Sequence, residues 1–125
     1  MGKYIDKTMV SKAIISKIRN DRNPKEIRAV HLEEYKSPEK ISFNSDKESF
    51  VPDIEAVYEK ENIVYEIELD DKIAVNKWRT LSKYARKSNG NFYLVVPRKL
   101  KEFIKKELDK NAVNAGLITF GTKAD

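Results

Sequence analysis

Acidic residues alternate with apolar ones in two neighbouring segments near the middle of the chain. The first segment contains Asp53 and Glu55, and the second contains Glu66 and Glu68. Because successive side chains of a strand point to opposite faces, each acidic pair lies on a different face from its apolar neighbours. The link between the segments is short enough for a hairpin, which would place the four carboxylates on one side of an antiparallel pair.

Carboxylates crowded in this way repel one another unless a divalent cation or solvent offsets their charge. The chain contains no cysteine and a single histidine, His31, so a metal ion would have to be held by oxygen ligands. Oxygen ligands favour magnesium, manganese or calcium over zinc. The alternative is an ordinary strand pair with a solvated polar face. The outward-facing positions of these two segments contain no lysine or arginine, although basic residues outnumber acidic ones in the chain by 25 to 20. This absence favours the metal site over a solvated face.

The length of 125 residues predicts one domain that spans residues 1–125. The chain has no apolar run long enough to cross a bilayer and no charged-then-apolar leader, so we expect a cytoplasmic protein without a membrane partner. Its net charge of +5 fits a polyanionic partner such as nucleic acid. A metal-dependent phosphodiesterase needs both basic residues that hold a phosphate backbone and an acidic cluster that holds a metal.

Local patterns predict an α/β protein in which helices flank a mixed sheet. Asp6 or Thr8 starts the first helix, and segment 27–35, which follows Asn23-Pro24, fits either a second helix or a strand. Turn residues and hydrophobic spacing predict the remaining elements. In chain order they are a short strand at 40–43, a turn at 44–48, the two acidic strands at 51–58 and 63–69, a helix at about 73–87 capped by Asp70-Asp71, a buried strand at 92–96, a helix opened by Pro97 and a last strand at 117–120.

The helix predicted after the acidic strands is basic on the side opposite its apolar stripe. Trp78 is expected to anchor the core, and Lys77 and Tyr84 lie together on the flank of the stripe. Lys77 can be either a site residue or an ordinary surface lysine. The basic side is either a solvated surface or a phosphate-binding one. The residues expected to bind nucleic acid are Arg79, Lys83, Tyr84, Arg86 and Lys87.

Pro52-Asp53, Glu66-Ile67-Glu68 and a following helix with Lys77 and Tyr84 together resemble the motif of the PD-(D/E)xK nuclease superfamily. The resemblance covers about residues 40–96. It implies a restriction-endonuclease-like α/β fold and a catalytic magnesium or manganese ion. By position in the motif, Asp53 and Glu66 would be the acidic ligands of that ion.

The sequence departs from this motif at Glu68, where the superfamily usually has a lysine. A glutamate there could be a third metal ligand or a base that accepts a proton from the attacking water. Alternatively, Lys77 on the following helix takes over the lysine's role of stabilising the developing charge. A helical glutamate near the N-terminus often completes the site in this superfamily, and the candidates here are Glu26, Glu33 and Glu34.

The resemblance and the charge distribution together predict a metal-dependent DNA phosphodiesterase, either an endonuclease or an exonuclease, in which activated water attacks the phosphate. Asp53, Glu66, Glu68 and Lys77 are the expected catalytic residues, and the first three are the expected metal ligands. Glu55 shares the face of Asp53 and is expected either to lie in solvent or to support the site without binding the metal itself. DNA is the expected partner, and a homodimer would suit an enzyme that cuts both strands. The alternative is a catalytically inactive module that keeps the fold and binds nucleic acid or joins an assembly.

Overall fold

The computed structural model of the chain describes residues 5–42 and 48–121. These residues form a mixed α/β structure, as the local patterns predict. The elements are α1 (Lys7–Asp21), β1 (Glu26–Ala29), β2 (Ile54–Val57), β3 (Asn62–Ile67), α2 (Val75–Lys87), β4 (Phe92–Pro97), a 3₁₀ turn (Arg98–Leu100), α3 (Lys101–Lys110) and β5 (Gly116–Phe120). The strands form one sheet in the order β1-β2-β3-β4-β5. The pairs β1–β2 and β2–β3 are antiparallel, whereas β3–β4 and β4–β5 are parallel.

Helices cover both faces of this sheet. On one face, α1 packs Ile14 and Ile18 against the strands, and on the other α2 and α3 contribute Trp78 and Ile104 to a second core. Helix α1 begins where predicted, because the Asp6 side chain accepts a hydrogen bond from the Met9 N–H at 2.9 Å. Strand β4 lies between the two cores, which explains its nearly continuous apolar sequence.

The ambiguous segment 27–35 contains a strand and not a second helix. Its first residues complete β1, in which Arg28 pairs with Glu55 of β2. Pairing with a neighbouring strand therefore outweighs the helix-start signal at Asn23-Pro24. In the predicted strand at 40–43, Ile41 forms only an isolated bridge with Phe50. Residues 43–47, which include most of the predicted turn, lie outside the described residues.

The predicted start of α2 is wrong. Helix α2 follows Ala74 and has no side-chain cap, because the Asp70 carboxylate accepts from the Lys72 N–H in the preceding loop. Pro97 ends β4, where it pairs with Phe120 of β5, and also caps the 3₁₀ turn that begins at Arg98. The 3₁₀ turn then separates β4 from α3. Of the helices within the two described ranges, none is long and apolar enough to cross a membrane.

Candidate functional site

Asp53 and Glu66 face each other at the edge of the sheet where β2 begins and β3 ends. The β2–β3 register pairs Ile54 with Tyr65, so the next positions outward bring the two acids opposite each other. The Asp53 N–H donates to Glu66 Oε1 at 3.2 Å, and the Ile67 N–H donates to Asp53 Oδ2 at 2.8 Å. Asp53 is 4% exposed and Glu66 is 1% exposed. The antiparallel pair thus fixes two buried carboxylates side by side.

Lys7 and His31 complete the surroundings of Asp53, and sequence reasoning missed both of them. The Lys7 ammonium, in the first turn of α1, lies 3.1 Å from Asp53 Oδ2. His31 Nε2, in the loop after β1, lies 2.7 Å from Asp53 Oδ1. A hydrogen bond of 3.4 Å from the Thr8 hydroxyl to the His31 carbonyl joins this loop to the helix. No local spacing signals these contacts, because only the tertiary fold brings the three segments together.

Two consecutive residues of α2 contact two alternate acids of the second acidic segment. Lys77 Nζ lies 2.6 Å from Glu66 Oε2, so Lys77 is paired within the site and is not an ordinary surface lysine. The Trp78 indole N–H donates to Glu68 Oε2 at 2.8 Å. Trp78 is fully buried, which confirms its predicted role as a core anchor. Its contact with Glu68 was not predicted and orients that carboxylate.

The electrostatic surroundings of Asp53 favour its ionised form. Burial raises the pKa of the Asp53 carboxyl, but the Lys7 ammonium and the Ile67 N–H outweigh burial, so the pKa lies below its ordinary value. Burial lowers the pKa of Lys7, yet the negative charges of Asp53 and Glu66 outweigh this effect and raise it overall. Asp53 and Lys7 therefore form a charged pair across the neutral pH range.

The other two acids show the opposite shift. Burial and the neighbouring Asp53 charge raise the pKa of Glu66 to about 8, against the opposing effect of Lys77. Burial also raises the pKa of Glu68, against the hydrogen bond from Trp78. A carboxylate whose pKa is raised toward neutrality accepts a proton more readily at physiological pH than a carboxylate with an ordinary pKa does. The site thus contains an ionised acid beside acids that bind protons more tightly.

Glu55 is buried, so the solvated alternative for this residue is wrong. It is 2% exposed and accepts hydrogen bonds from the Tyr84 hydroxyl and, at 3.1 Å, from Asn62 Nδ2. Arg28 Nη1 lies 3.7 Å from its other carboxylate oxygen. Tyr84, one of the residues expected to bind nucleic acid, connects α2 to the β2–β3 pair through these hydrogen bonds.

The remaining predicted site residues lie apart from Asp53. Glu26 pairs with Arg28 at 3.1 Å, and Glu33 and Glu34 are exposed in the loop after β1. None of these three glutamates makes a contact with Asp53 or Glu66 in the part of the chain that the structure describes.

The basic side of α2 extends away from the site. Arg79 donates to the Asn111 carbonyl at 2.8 Å, so part of its guanidinium holds α2 to the end of α3. Lys83, Arg86 and Lys87 are exposed. At a rise of about 1.5 Å per residue, Arg86 lies roughly 13 Å along the helix from Lys77. A phosphate bound there would lie at some distance from Asp53 and Glu66.

Comparison of the chain with protein-family profiles, curated proteins and solved structures gave no match. The residues of the site are therefore the basis for a functional interpretation.

The donor chemistry of the site fits a hard divalent cation. Asp53, Glu66 and Glu68 offer carboxylate oxygens, which magnesium and manganese prefer. Among residues 5–42 and 48–121, no three histidine or acidic side chains already surround a common metal position. The ammonium groups of Lys7 and Lys77 lie on Asp53 and Glu66, at the oxygens that a cation would use. A cation would have to replace at least one of these ammonium groups.

Proposed function

We propose that this chain is a magnesium- or manganese-dependent phosphodiesterase that hydrolyses DNA, with a restriction-endonuclease-like fold of the PD-(D/E)xK type. The observation that carries the proposal is the buried pair of Asp53 and Glu66 with Lys77 2.6 Å from Glu66. The order of the acidic strands and α2 agrees with the motif to which the sequence is similar. Two carboxylates can hold a metal ion that assists phosphate hydrolysis, and a lysine beside them can stabilise the charge that develops on the phosphate.

A purely structural role is a poor explanation for this cluster. Burying ionised groups has a large desolvation cost, and well-packed apolar residues of similar volume often stabilise a protein equally well or better. The cluster contains Asp53, Glu66 and Lys77, all of which are mostly removed from solvent. Shifted pKa values concentrated in one cluster are typical of functional sites. The energetic cost of the cluster therefore favours a role in chemistry.

In the proposed reaction, Asp53 and Glu66 hold the cation. When bound, the cation would neutralise phosphate charge and lower the pKa of a water molecule. Glu68 accepts the proton of the attacking water, for which its raised pKa suits it. The water oxygen bonds to phosphorus as the ester P–O bond breaks, and the leaving oxygen takes a proton from solvent. The Lys77 ammonium stabilises the charge that develops on the phosphate oxygens.

A cleavage assay with matched variants tests this function. Supercoiled plasmid, linear duplex, single-stranded and branched DNA are incubated with the protein in magnesium, in manganese and in EDTA. We expect cleavage only with a metal, and loss of cleavage in Asp53→Asn and Glu66→Gln. Glu26→Gln should cleave fully, because it removes only the acid that pairs with Arg28 in β1. Absence of cleavage of every substrate by the metal-saturated wild type would refute the proposal.

One observation favours a second function, an inactive nucleic-acid-binding or assembly module. Lys7 and Lys77 already contact Asp53 and Glu66, so the two central acids have partners without any metal. Glu68 also replaces the lysine of the motif. For such a module, DNA binding would be identical in magnesium and in EDTA, and Asp53→Asn would leave it unchanged. For the proposed enzyme, metal would alter binding and Asp53→Asn would abolish that effect.

A further inference from the structure

We propose that Lys7 is a second phosphate-binding group of this site, which Asp53 holds in the metal-free protein and which cation binding releases to the nucleic acid. This inference rests on the proposed function and concerns its regulation. Its basis is the crowded set of donors around one carboxylate and the different freedom that each donor has to move.

Both oxygens of Asp53 already accept from protein donors, one of which is a cationic ammonium group. Oδ2 accepts from the Ile67 N–H at 2.8 Å and lies 3.1 Å from Lys7 Nζ. Oδ1 lies 2.7 Å from His31 Nε2 and 3.5 Å from the same lysine nitrogen. Lys7 therefore bridges both oxygens, which are also the oxygens that a cation would use.

Of these three donors, Lys7 is the one that can leave. The Ile67 N–H belongs to the backbone of β3 and cannot move without breaking the strand. The loop of His31 is fixed on both sides by hydrogen bonds, from the Val30 N–H to the Asp53 carbonyl at 3.0 Å and from Thr8 to the His31 carbonyl. The Lys7 side chain is 32% exposed and has four flexible methylene groups. Its ammonium can turn to solvent without disturbing the fold.

The position of Lys7 suits the partner that we infer for the released group. Lys7 reaches the sheet edge from α1 on one face, and Lys77 reaches it from α2 on the other. A phosphate that approaches Asp53 and Glu66 from solvent would thus meet one ammonium group from each helical layer. Lysine binds phosphate as a point charge, and its long side chain allows it to follow the ligand.

Release of Lys7 couples two binding events. A cation must displace the ammonium, so Lys7 weakens cation binding, and the displaced ammonium then strengthens nucleic-acid binding. By thermodynamic linkage, cation and nucleic acid each raise the affinity for the other by the same factor. The metal-free protein would accordingly bind DNA weakly at this site. The protein would hold the DNA phosphate backbone tightly only when the cation needed for hydrolysis is bound.

The first experiment measures calcium binding by calorimetry for the wild type, Lys7→Met and Lys12→Met. Lys12 is an exposed lysine of the same helix and makes none of the ion pairs at the site, so it is the matched control. We expect Lys7→Met to bind calcium at least about fivefold more tightly, within the usual range of coupling between two ligands, and Lys12→Met to match the wild type. Unchanged or weaker calcium binding in Lys7→Met overturns the proposal.

The second experiment measures the affinity for a short fluorescent DNA duplex in EDTA and in calcium, with cleavage monitored in the same samples. Calcium should strengthen DNA binding more in the wild type than in Lys7→Met, and Lys7→Arg should retain most of the wild-type coupling because it keeps the charge. Equal coupling in the wild type and Lys7→Met contradicts the release of Lys7.

A third measurement needs no variant, so it remains decisive if Lys7→Met fails to fold. The ¹⁵N ammonium resonance of Lys7 is followed by NMR as calcium is added to the wild type. We expect a protected, ion-paired signal that moves to the position of a free lysine, and a signal that stays unchanged at saturating calcium refutes release. If the wild type binds no cation at all, the proposed function fails as well. If it binds cations and cleaves DNA with Lys7 still in place, only this inference fails.

Discussion

Lys77 Nζ lies 2.6 Å from Glu66 Oε2, and this contact fixes the first turn of α2 against the end of β3. The next helix residue, Trp78, holds Glu68 through its indole nitrogen. One helix turn thus positions two acids that lie two residues apart in the second acidic segment. The motif lysine is missing from that segment, but an ammonium group is present at the site because α2 supplies it.

Substitution of Glu68 and Lys77 should separate proton transfer from charge stabilisation. We expect Glu68→Gln to lower kcat roughly 10²- to 10⁴-fold, because the carboxylate that accepts the proton of water is lost. Lys77→Ala should lower kcat roughly 10²- to 10³-fold without weakening metal binding, because it removes only a stabilising charge and a competitor of the cation. Lys12→Ala, which changes an exposed lysine of α1 outside the site, is the control. Single-turnover kinetics and calorimetry give the two quantities, and full activity in Glu68→Gln would exclude a role as the base.

The stability of the metal-free protein should depend on Glu66 protonation. The pKa of Glu66 is raised to about 8 in the folded chain, from an ordinary value near 4.5. The folded state therefore binds this proton more tightly than the unfolded state does, and the resulting stabilisation is complete below pH 4.5 and is lost as pH rises through 8. Urea denaturation in EDTA should show the free energy of unfolding falling from pH 5 to pH 8.5 more steeply in the wild type than in Glu66→Gln. Parallel profiles of the two proteins would contradict the shifted pKa.

The basic side of α2 should divide into a phosphate-binding part and a structural part. Replacing Lys83 and Arg86 with Gln should reduce the slope of log affinity against log salt by about 0.9 for each lost duplex-phosphate contact. Arg79→Gln should leave this slope nearly unchanged and lower the free energy of unfolding by about 0.5–1.5 kcal/mol, since it removes a hydrogen bond to Asn111. Salt titrations of DNA binding in EDTA test the slopes. A larger change for Arg79→Gln than for the double variant would reverse this assignment.

Tyr84→Phe should affect stability and not DNA binding. The Tyr84 hydroxyl donates to the buried Glu55 carboxylate and accepts from Asn62 at 3.1 Å. Its removal should lower the free energy of unfolding by about 1 kcal/mol, because Glu55 then loses one of its hydrogen-bond donors. Thermal denaturation and a DNA-binding titration on the same sample decide between the two roles. A loss of DNA affinity without any loss of stability would restore Tyr84 as a nucleic-acid contact.

Local patterns predicted most of the elements of the fold. The alternating acidic segments became β2 and β3, the amphipathic run after them became α2, and the apolar run at 92–96 became the buried strand β4. These elements were predictable because side-chain periodicity directly reflects the period of a strand or a helix. The choice between helix and strand at 27–35 was not predictable, since it depends on pairing between Arg28 and Glu55, which are distant in sequence.

The acids of the site and Lys77 could be predicted, whereas Lys7 and His31 could not. Asp53 immediately precedes β2 and Glu66 lies in β3, and a short hairpin joins these strands, so their proximity follows from the local register. Lys7 and His31 are 46 and 22 residues from Asp53, and no spacing rule connects them to it. The burial of Glu55 was missed for a related reason. Alternation shows which residues share a face of a strand but not whether a helix covers that face.

The most direct test of a cation held by Asp53 and Glu66 is an anomalous difference map from a crystal soaked in manganese. We predict one strong peak between the two carboxylates, with the Lys7 ammonium displaced from Asp53. A crystal at saturating manganese that shows no peak there, with Lys7 still on Asp53 and Lys77 still on Glu66, would contradict the account.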